Sequence, residues 1–227
     1  STLDRSSAAS DVYKRQGCDD VFLTEDDDLV ESDRMVPIFY MRDHRRGNDD
    51  RQRWLVNPWN DDGTLVNLDK YPRLKTYLET NKERLSRRYV AKKNKTAWYR
   101  TIDKLTPGLL DRDLLLMPDM AAQPDPILSH GKYPHHNCYW ITSDEWDLEV
   151  LGGLLMADTT RRFIDALGVK MRGGTLRFQA QYLRLVHMPK YIQISDTNKL
   201  GLSRAFNEKD RALATKFAEA AYKEATE

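Results

Sequence analysis

Residues 89–101, YVAKKNKTAWYRT, interleave Lys92, Lys93, Lys95 and Arg100 with Tyr89, Trp98 and Tyr99. Cations at this density neutralise phosphates, and aromatic or guanidinium planes pack on sugars and exposed bases. Trp98 keeps two readings, a stacking contact or a buried core aromatic. A second stretch, residues 170–181, KMRGGTLRFQAQ, brings Arg172, Arg177, Gln179 and Gln181 together. These side chains are the types suited to paired hydrogen bonds with guanine and adenine edges. Gly173 and Gly174 lie between the arginines, and a backbone without Cβ atoms can approach a ligand closely. Gly168 already ends the preceding helical pattern, so the pair is not needed as a helix stop.

Other chemistries lack their residues. His130, His135, His136 and Cys138 share one stretch, but their spacing matches no common zinc motif and adjacent histidines point in different directions. They read as loop residues, and no metal is expected. A strand ending at Pro118–Asp119 would suit a metal-dependent nuclease if a Glu-x-Lys followed to hold the ion and polarise water. None follows. An adenine methyltransferase needs a glycine-rich cofactor loop and an Asp/Asn-Pro-Pro-aromatic motif for the flipped base. Asn57-Pro58-Trp59 lacks the second proline and has no such loop before it, so it reads as a turn. No catalytic residue is assigned, and DNA contact is the constellation that stands.

The elements that must position these residues follow from periodicity. Strands are expected at 20–24, 34–40 and 53–59, with the Asp-Gly of residues 60–66 closing a hairpin. A helix is expected over 71–89, with Pro72 in its first turn and Leu74, Leu78 and Leu85 on one stripe. Residues 113–120 read as a buried strand, 121–137 as a Pro-rich loop and 138–142 as a strand. A second helix is expected over about 144–167, capped by Ser143 and striped by Leu148, Leu151 and Leu155. Residues 175–189 carry both alternating and helical periods, and their state stays open. A last helix is expected over roughly 207–224. The fold class is α+β: mixed strands with at least three helices and no regular βαβ alternation.

In 227 residues, 31% are charged, 40% hydrophobic and 10% aromatic, which describes a folded chain with a solvated surface. The net charge of +1 conceals a segregation. Eight acids and no base lie between Asp19 and Asp33. Nine bases face two acids from Lys82 to Lys104, and seven bases face Asp165 alone from Arg161 to Lys190. Two cysteines, Cys18 and Cys138, make no disulfide framework, and no apolar run approaches the roughly 18 residues of a membrane span. With no secretory signal visible, the chain is expected in the cytoplasm, away from membranes.

The segments GCDDVFL, RWLVNPWNDDGTLVNLDKYPRLKTYLE, RYVAKKNKTAWYRTID, CYWIT and LGGLLMADTTRRFIDALGVKMRGGTLRFQAQYLRLVHMP occur in this order. From Gly17 to about Pro189 the chain resembles the C-terminal half of bacterial adenine-specific DNA methyltransferases of restriction-modification systems, in which a TaqI-like specificity domain follows the catalytic domain. The resemblance implies a target-recognition domain over 17–190 and a helical extension over 191–227. It implies double-stranded DNA as partner, bound through Lys92, Lys93, Lys95, Trp98 and Arg100 and through Arg172, Gly173, Gly174, Arg177 and Gln179. It also implies that S-adenosylmethionine and methyl transfer belong to a Rossmann-like catalytic domain absent from this chain. Residues 6–16, SSAASDVYKRQ, have no clear period and resemble translated adapter sequence. Residues 1–16 are therefore expected to be a non-native or disordered leader, with the natural chain continuing upstream of Gly17. Two other classes remain open: a protein-interaction module docking to a restriction subunit through the 144–167 or C-terminal helix, and an enzyme with an unrecognised site.

Overall fold

The computed structural model describes residues 30–47, 53–101, 103–118, 120–135, 138–167, 176–177 and 183–226, with only the backbone of Met120, Leu176 and Arg177. The expected strand at 20–24 lies outside these residues. Helices and small antiparallel sheets make the fold α+β, as composition and pattern lead one to expect. The chain divides into two compact units, Ser1–Leu110 and Asp111–Glu227.

In the first unit, β1 (Met35–Phe39) and β2 (Arg53–Val56) pair antiparallel, with Met35 opposite Val56 and Ile38 opposite Arg53. A helical turn, α1 (Met41–His44), follows β1. Its Asp43 receives both Nε and Nη2 of Arg53, the latter at 2.9 Å, and both residues are buried. Pairing is what makes two such charges tolerable away from water. The Asp-Gly turn forms as expected: Trp59 bridges Leu65 across it, and Gly63 adopts φ +76°, a conformation that favours glycine.

The helix expected over 71–89 is instead three pieces. These are α2 (Pro72–Thr80), α3 (Lys82–Ser86) and α4 (Tyr89–Lys93). The cause is side-chain competition for backbone carbonyls near the break. Thr76 and Thr80 donate to the carbonyls of Pro72 and Thr76, and Asn81 Nδ2 donates to Tyr77 O at 2.8 Å. The start of α2 is capped from far away. Both carboxylate oxygens of Glu31 accept backbone N–H groups, from Arg73 and Leu74, each at 2.9 Å. Leu74, Leu78 and Leu85 still share one stripe and bury it with Val30, Val56 and Val66.

The second unit is built on β3 (Leu114–Pro118), apolar throughout and wholly buried between β5 (Ile127–Ser129) and β7 (Cys138–Ile141), both antiparallel to it. A backbone pair joins β4 (Met120–Ala121) to β8 (Leu176–Arg177). The Pro-rich stretch expected as loop contains β5 and the two-residue β6 (Tyr133–Pro134). Leu128 and its neighbours find partners only because β3 lies beside them.

The helix expected over 144–167 breaks into α5 (Leu148–Met156) and α6 (Asp158–Ala166). Ser143 does not cap it. Its Oγ holds a separate turn by accepting from Glu145 and Trp146, whereas Asp147 caps α5 through Glu149 N and Val150 N. At the break Ala157 is extended, Thr215 Oγ1 accepts Asp158 N–H at 3.0 Å, and Arg211 donates to the carbonyl of Met156. Groups freed by the break are therefore met by a distant helix.

The C-terminal part holds two helices, α7 (Asp196–Asn207) and α8 (Arg211–Glu224), where one was expected from about 207. Ser195 and Asp210 cap them. Helices α5, α7 and α8 meet at glycines. A Cβ on Gly153 would lie 2.4 Å from the Leu202 carbonyl oxygen, and one on Gly201 would lie 2.4 Å from the Phe217 ring. Residues through Ala221 thus share one core with Leu115, Met117 and Leu154.

Candidate nucleic-acid interface

Lys92 and Lys93 end α4, and Lys95 follows in an Asx turn. Asn94 Oδ1 accepts from the backbone of Thr96 and Ala97, each at 3.2 Å, and from Thr96 Oγ1 at 2.7 Å. Ala97 is buried beneath, so the turn is folded back and its lysines face outward. Lys92, Lys93 and Lys95 are exposed, and no acid among the described residues pairs with them. The Lys93 ammonium lies 4.8 Å from the centre of the Tyr89 ring.

Trp98 and Arg100 sit behind this turn. Trp98 is half-buried against the apolar cluster of the first unit, edge-on to Tyr99. Its carbonyl accepts from Arg88 Nη2 at 3.0 Å, and its ring carries the Lys82 ammonium at 5.1 Å. The Tyr99 hydroxyl donates to Val66 O at 2.9 Å, and burial pushes its pKa up. Arg100 lies 5.5 Å from the buried Trp59 ring, whose Nε1 donates to Thr101 Oγ1 at 2.7 Å. The structure thus brings Lys92, Lys93 and Lys95 into one exposed group and makes Trp98 part of their support.

Of the second basic stretch, Arg172, Gly173, Gly174, Gln179 and Gln181 lie outside the described residues. The backbone of Arg177 stands opposite Met120, in the pairing of β4 with β8.

The chemistries set aside from sequence can be placed too. Asn57 Oδ1 is taken by the Trp59 N–H at 2.9 Å, and the Trp59 ring is 5% exposed. The buried Trp59 ring is not open to stack on a flipped base, and Asn57–Trp59 is occupied as a turn. His130 Nδ1 meets Asp113 at 2.8 Å, while His135 and Cys138 are buried. Among the described residues no three His, Cys, Asp or Glu side chains gather as a metal site.

Three participants were not legible in the sequence. Glu31 sits in an acidic run and is a helix cap; Lys82 and Lys104 reach rings far along the chain, Lys104 the Trp59 ring at 5.5 Å. No local signal marks a partner that distant.

No protein-family model matches the chain. It is 39% identical over 197 residues to the type II methyltransferase M.PaeR7I of Pseudomonas aeruginosa, covering 86% of this chain and 34% of that protein. It is 37% identical over 218 residues to M.XhoI of Xanthomonas vasicola, covering 95% of this chain and 40% of the relative. M.BstVI of Geobacillus stearothermophilus is 37% identical over 189 residues. The chain therefore spans between about a third and two fifths of these relatives' lengths. Among solved structures, the type IIL restriction-modification enzyme MmeI in complex with DNA superposes with a TM-score of 0.59 over 84% of this chain and 28% of its own. At 12% identity that likeness is one of fold. Among the described residues no helix is long and apolar enough to cross a membrane.

Proposed function

We propose that this chain is the DNA-facing, target-recognising part of an adenine-specific type II methyltransferase. The observation that carries the reading is the exposed group Lys92, Lys93 and Lys95, unneutralised by any described acid, in a chain similar over most of its length to type II methyltransferases. Cations so placed bind the phosphate backbone whatever its sequence, and so set register and orientation. Base edges would then be read by Arg172, Arg177 and Gln179, with Gly173 and Gly174 admitting close backbone approach. The recognition region runs over 17–190. Binding and transfer of the methyl group from S-adenosylmethionine fall to a catalytic domain outside this chain, in a cytoplasmic restriction-modification enzyme.

The protein-docking alternative has less to work with. Of the 144–167 segment, α5 buries every residue from Val150 to Met156 in its own unit, while Phe163 and Leu167, in and just after α6, stay partly exposed. The C-terminal helix α8 turns Ala214, Ala218 and Ala221 inward.

A salt titration of binding to labelled duplex separates the readings. Affinity is expected to fall linearly in log–log form, by about 0.9 in slope for each phosphate contacted. Salt-independent binding, or none, overturns the proposal. A labelled-methyl assay on the same chain is expected to give no transfer, and activity there would place the catalytic machinery within it.

A further inference from the structure

We infer that Lys82 and Lys104 belong with Arg100 to the set that grips the DNA phosphates, and that Trp98 and Trp59 hold them ready. The inference rests on the DNA-binding reading above and extends it to two residues outside the 92–100 stretch.

An ammonium over an aromatic face is held by the ring's quadrupole. Lys82 is so held on Trp98, 5.1 Å from the ring centre, and Lys104 on Trp59 at 5.5 Å. Trp59 also carries Arg100 at 5.5 Å. Two cations at one indole repel each other, and an anion between or beside them removes that cost. A third feature fixes Lys104. A Cβ on Gly63 would lie 3.1 Å from its Nζ and 3.3 Å from its Cδ, so the bare glycine leaves the channel in which this side chain runs.

Asp62, next to Gly63, attracts Lys104 at longer range, but its carboxylate is held chiefly by Thr64, accepting from Thr64 N at 2.8 Å and Thr64 Oγ1 at 2.6 Å. Lys82 pairs with no described acid. Contacts link these groups to one another: Lys82 rests on Trp98, Trp98 lies two residues before Arg100, and Arg100 and Lys104 share Trp59. Through Trp59 and Trp98 the cations Lys82, Arg100 and Lys104 are tied to the first unit's apolar cluster and to the 60–63 turn. The ligand this chemistry fits is a run of phosphodiesters, since a lone phosphate cannot satisfy cations spread over two rings.

The test is anisotropy of a labelled duplex with the full chain across a salt series, comparing wild type, Lys82→Gln/Lys104→Gln and Lys82→Arg/Lys104→Arg. The Gln pair is expected to lower the salt slope by about 1.8, two contacts at roughly 0.9 each, and the Arg pair to keep it. Weaker binding with an unchanged slope marks a structural role for the two lysines and overturns the inference while DNA binding stands. Absence of salt-dependent binding by wild type overturns both. If the Gln pair does not fold, the single Lys82→Gln and Lys104→Gln chains carry the test, each expected to lower the slope by about 0.9. Inorganic phosphate in place of added chloride at equal ionic strength is expected to compete no better than chloride. Strong competition would make the site a free-phosphate pocket and refute the phosphodiester assignment.

Discussion

The 92–104 surface of the first unit and the α5–α7–α8 cluster of the second use the same residue types to opposite ends. In the cluster, aromatic rings and glycines face each other: Phe206 fills the space beside Gly152, and Phe217 the space beside Gly201. Small residues draw the helices close, and the rings seal the gap. Phe206 and Phe217 also carry lysines, Lys209 at 4.6 Å and Lys216 at 5.8 Å, but at the 92–104 surface the rings of Tyr89, Trp98 and Trp59 carry cations without closing a helix contact, and Gly63 makes room for a lysine. One arrangement removes surface from water, and the other holds charge at it. The difference separates residues that stabilise the chain from residues proposed to meet DNA, although similarity to the methyltransferases runs through both.

Substitutions that respect this division should split cleanly between stability and binding. The largest effect is expected at Gly153→Ala, whose Cβ would meet backbone, Leu202 O at 2.4 Å, rather than a movable side chain. Overpacking should cost about 2 kcal/mol net, outweighing the roughly 1 kcal/mol that alanine adds in helix propensity. An unchanged urea midpoint would mean the helices are not in such close contact.

Tyr222 tests the cluster from the pH side. Burial pushes its pKa up to about 12, and its hydroxyl donates to His187 O at 2.8 Å. The folded chain keeps the phenol neutral where the unfolded chain ionises it. The resulting stability is complete below pH 10, the ordinary tyrosine value, and is lost as pH rises towards about 12. Melting temperature should fall over that window in wild type and fall less in Tyr222→Phe. Equal decline in both would refute the burial of this ring.

Glu31→Ala removes the cap on Arg73 N and Leu74 N and should cost about 1 kcal/mol in chemical denaturation. The smallest change in stability, within about 0.5 kcal/mol, is expected when Lys92, Lys93 and Lys95 all become Gln. The same triple variant should lose about 2.7 from the salt slope of duplex binding. A large loss of stability there would erase the contrast between the two regions.

How far the sequence reached depended on whether the determinants were local. The α+β class, the strands at 34–40 and 138–142, the Asp-Gly turn and the apolar run of β3 all rest on periodicity or on a single residue's backbone preference, and they were legible. The clustering of Lys92, Lys93 and Lys95 was legible too, because neighbours on a short helix and turn stay neighbours in space. Where helices end was not. The breaks at Asn81 and Ala157 depend on which group takes a freed carbonyl or N–H, and at Ala157 those groups are Arg211 and Thr215. Residue type and spacing by themselves determined which segments could bury an apolar face and where positive charge would accumulate. Tertiary structure alone decided that Glu31 caps a helix, that Gly153 is a packing position, and that Lys82 and Lys104 are tethered to rings. Each of those roles is defined by an atom brought near by folding, and no pattern of neighbours along the chain encodes that atom.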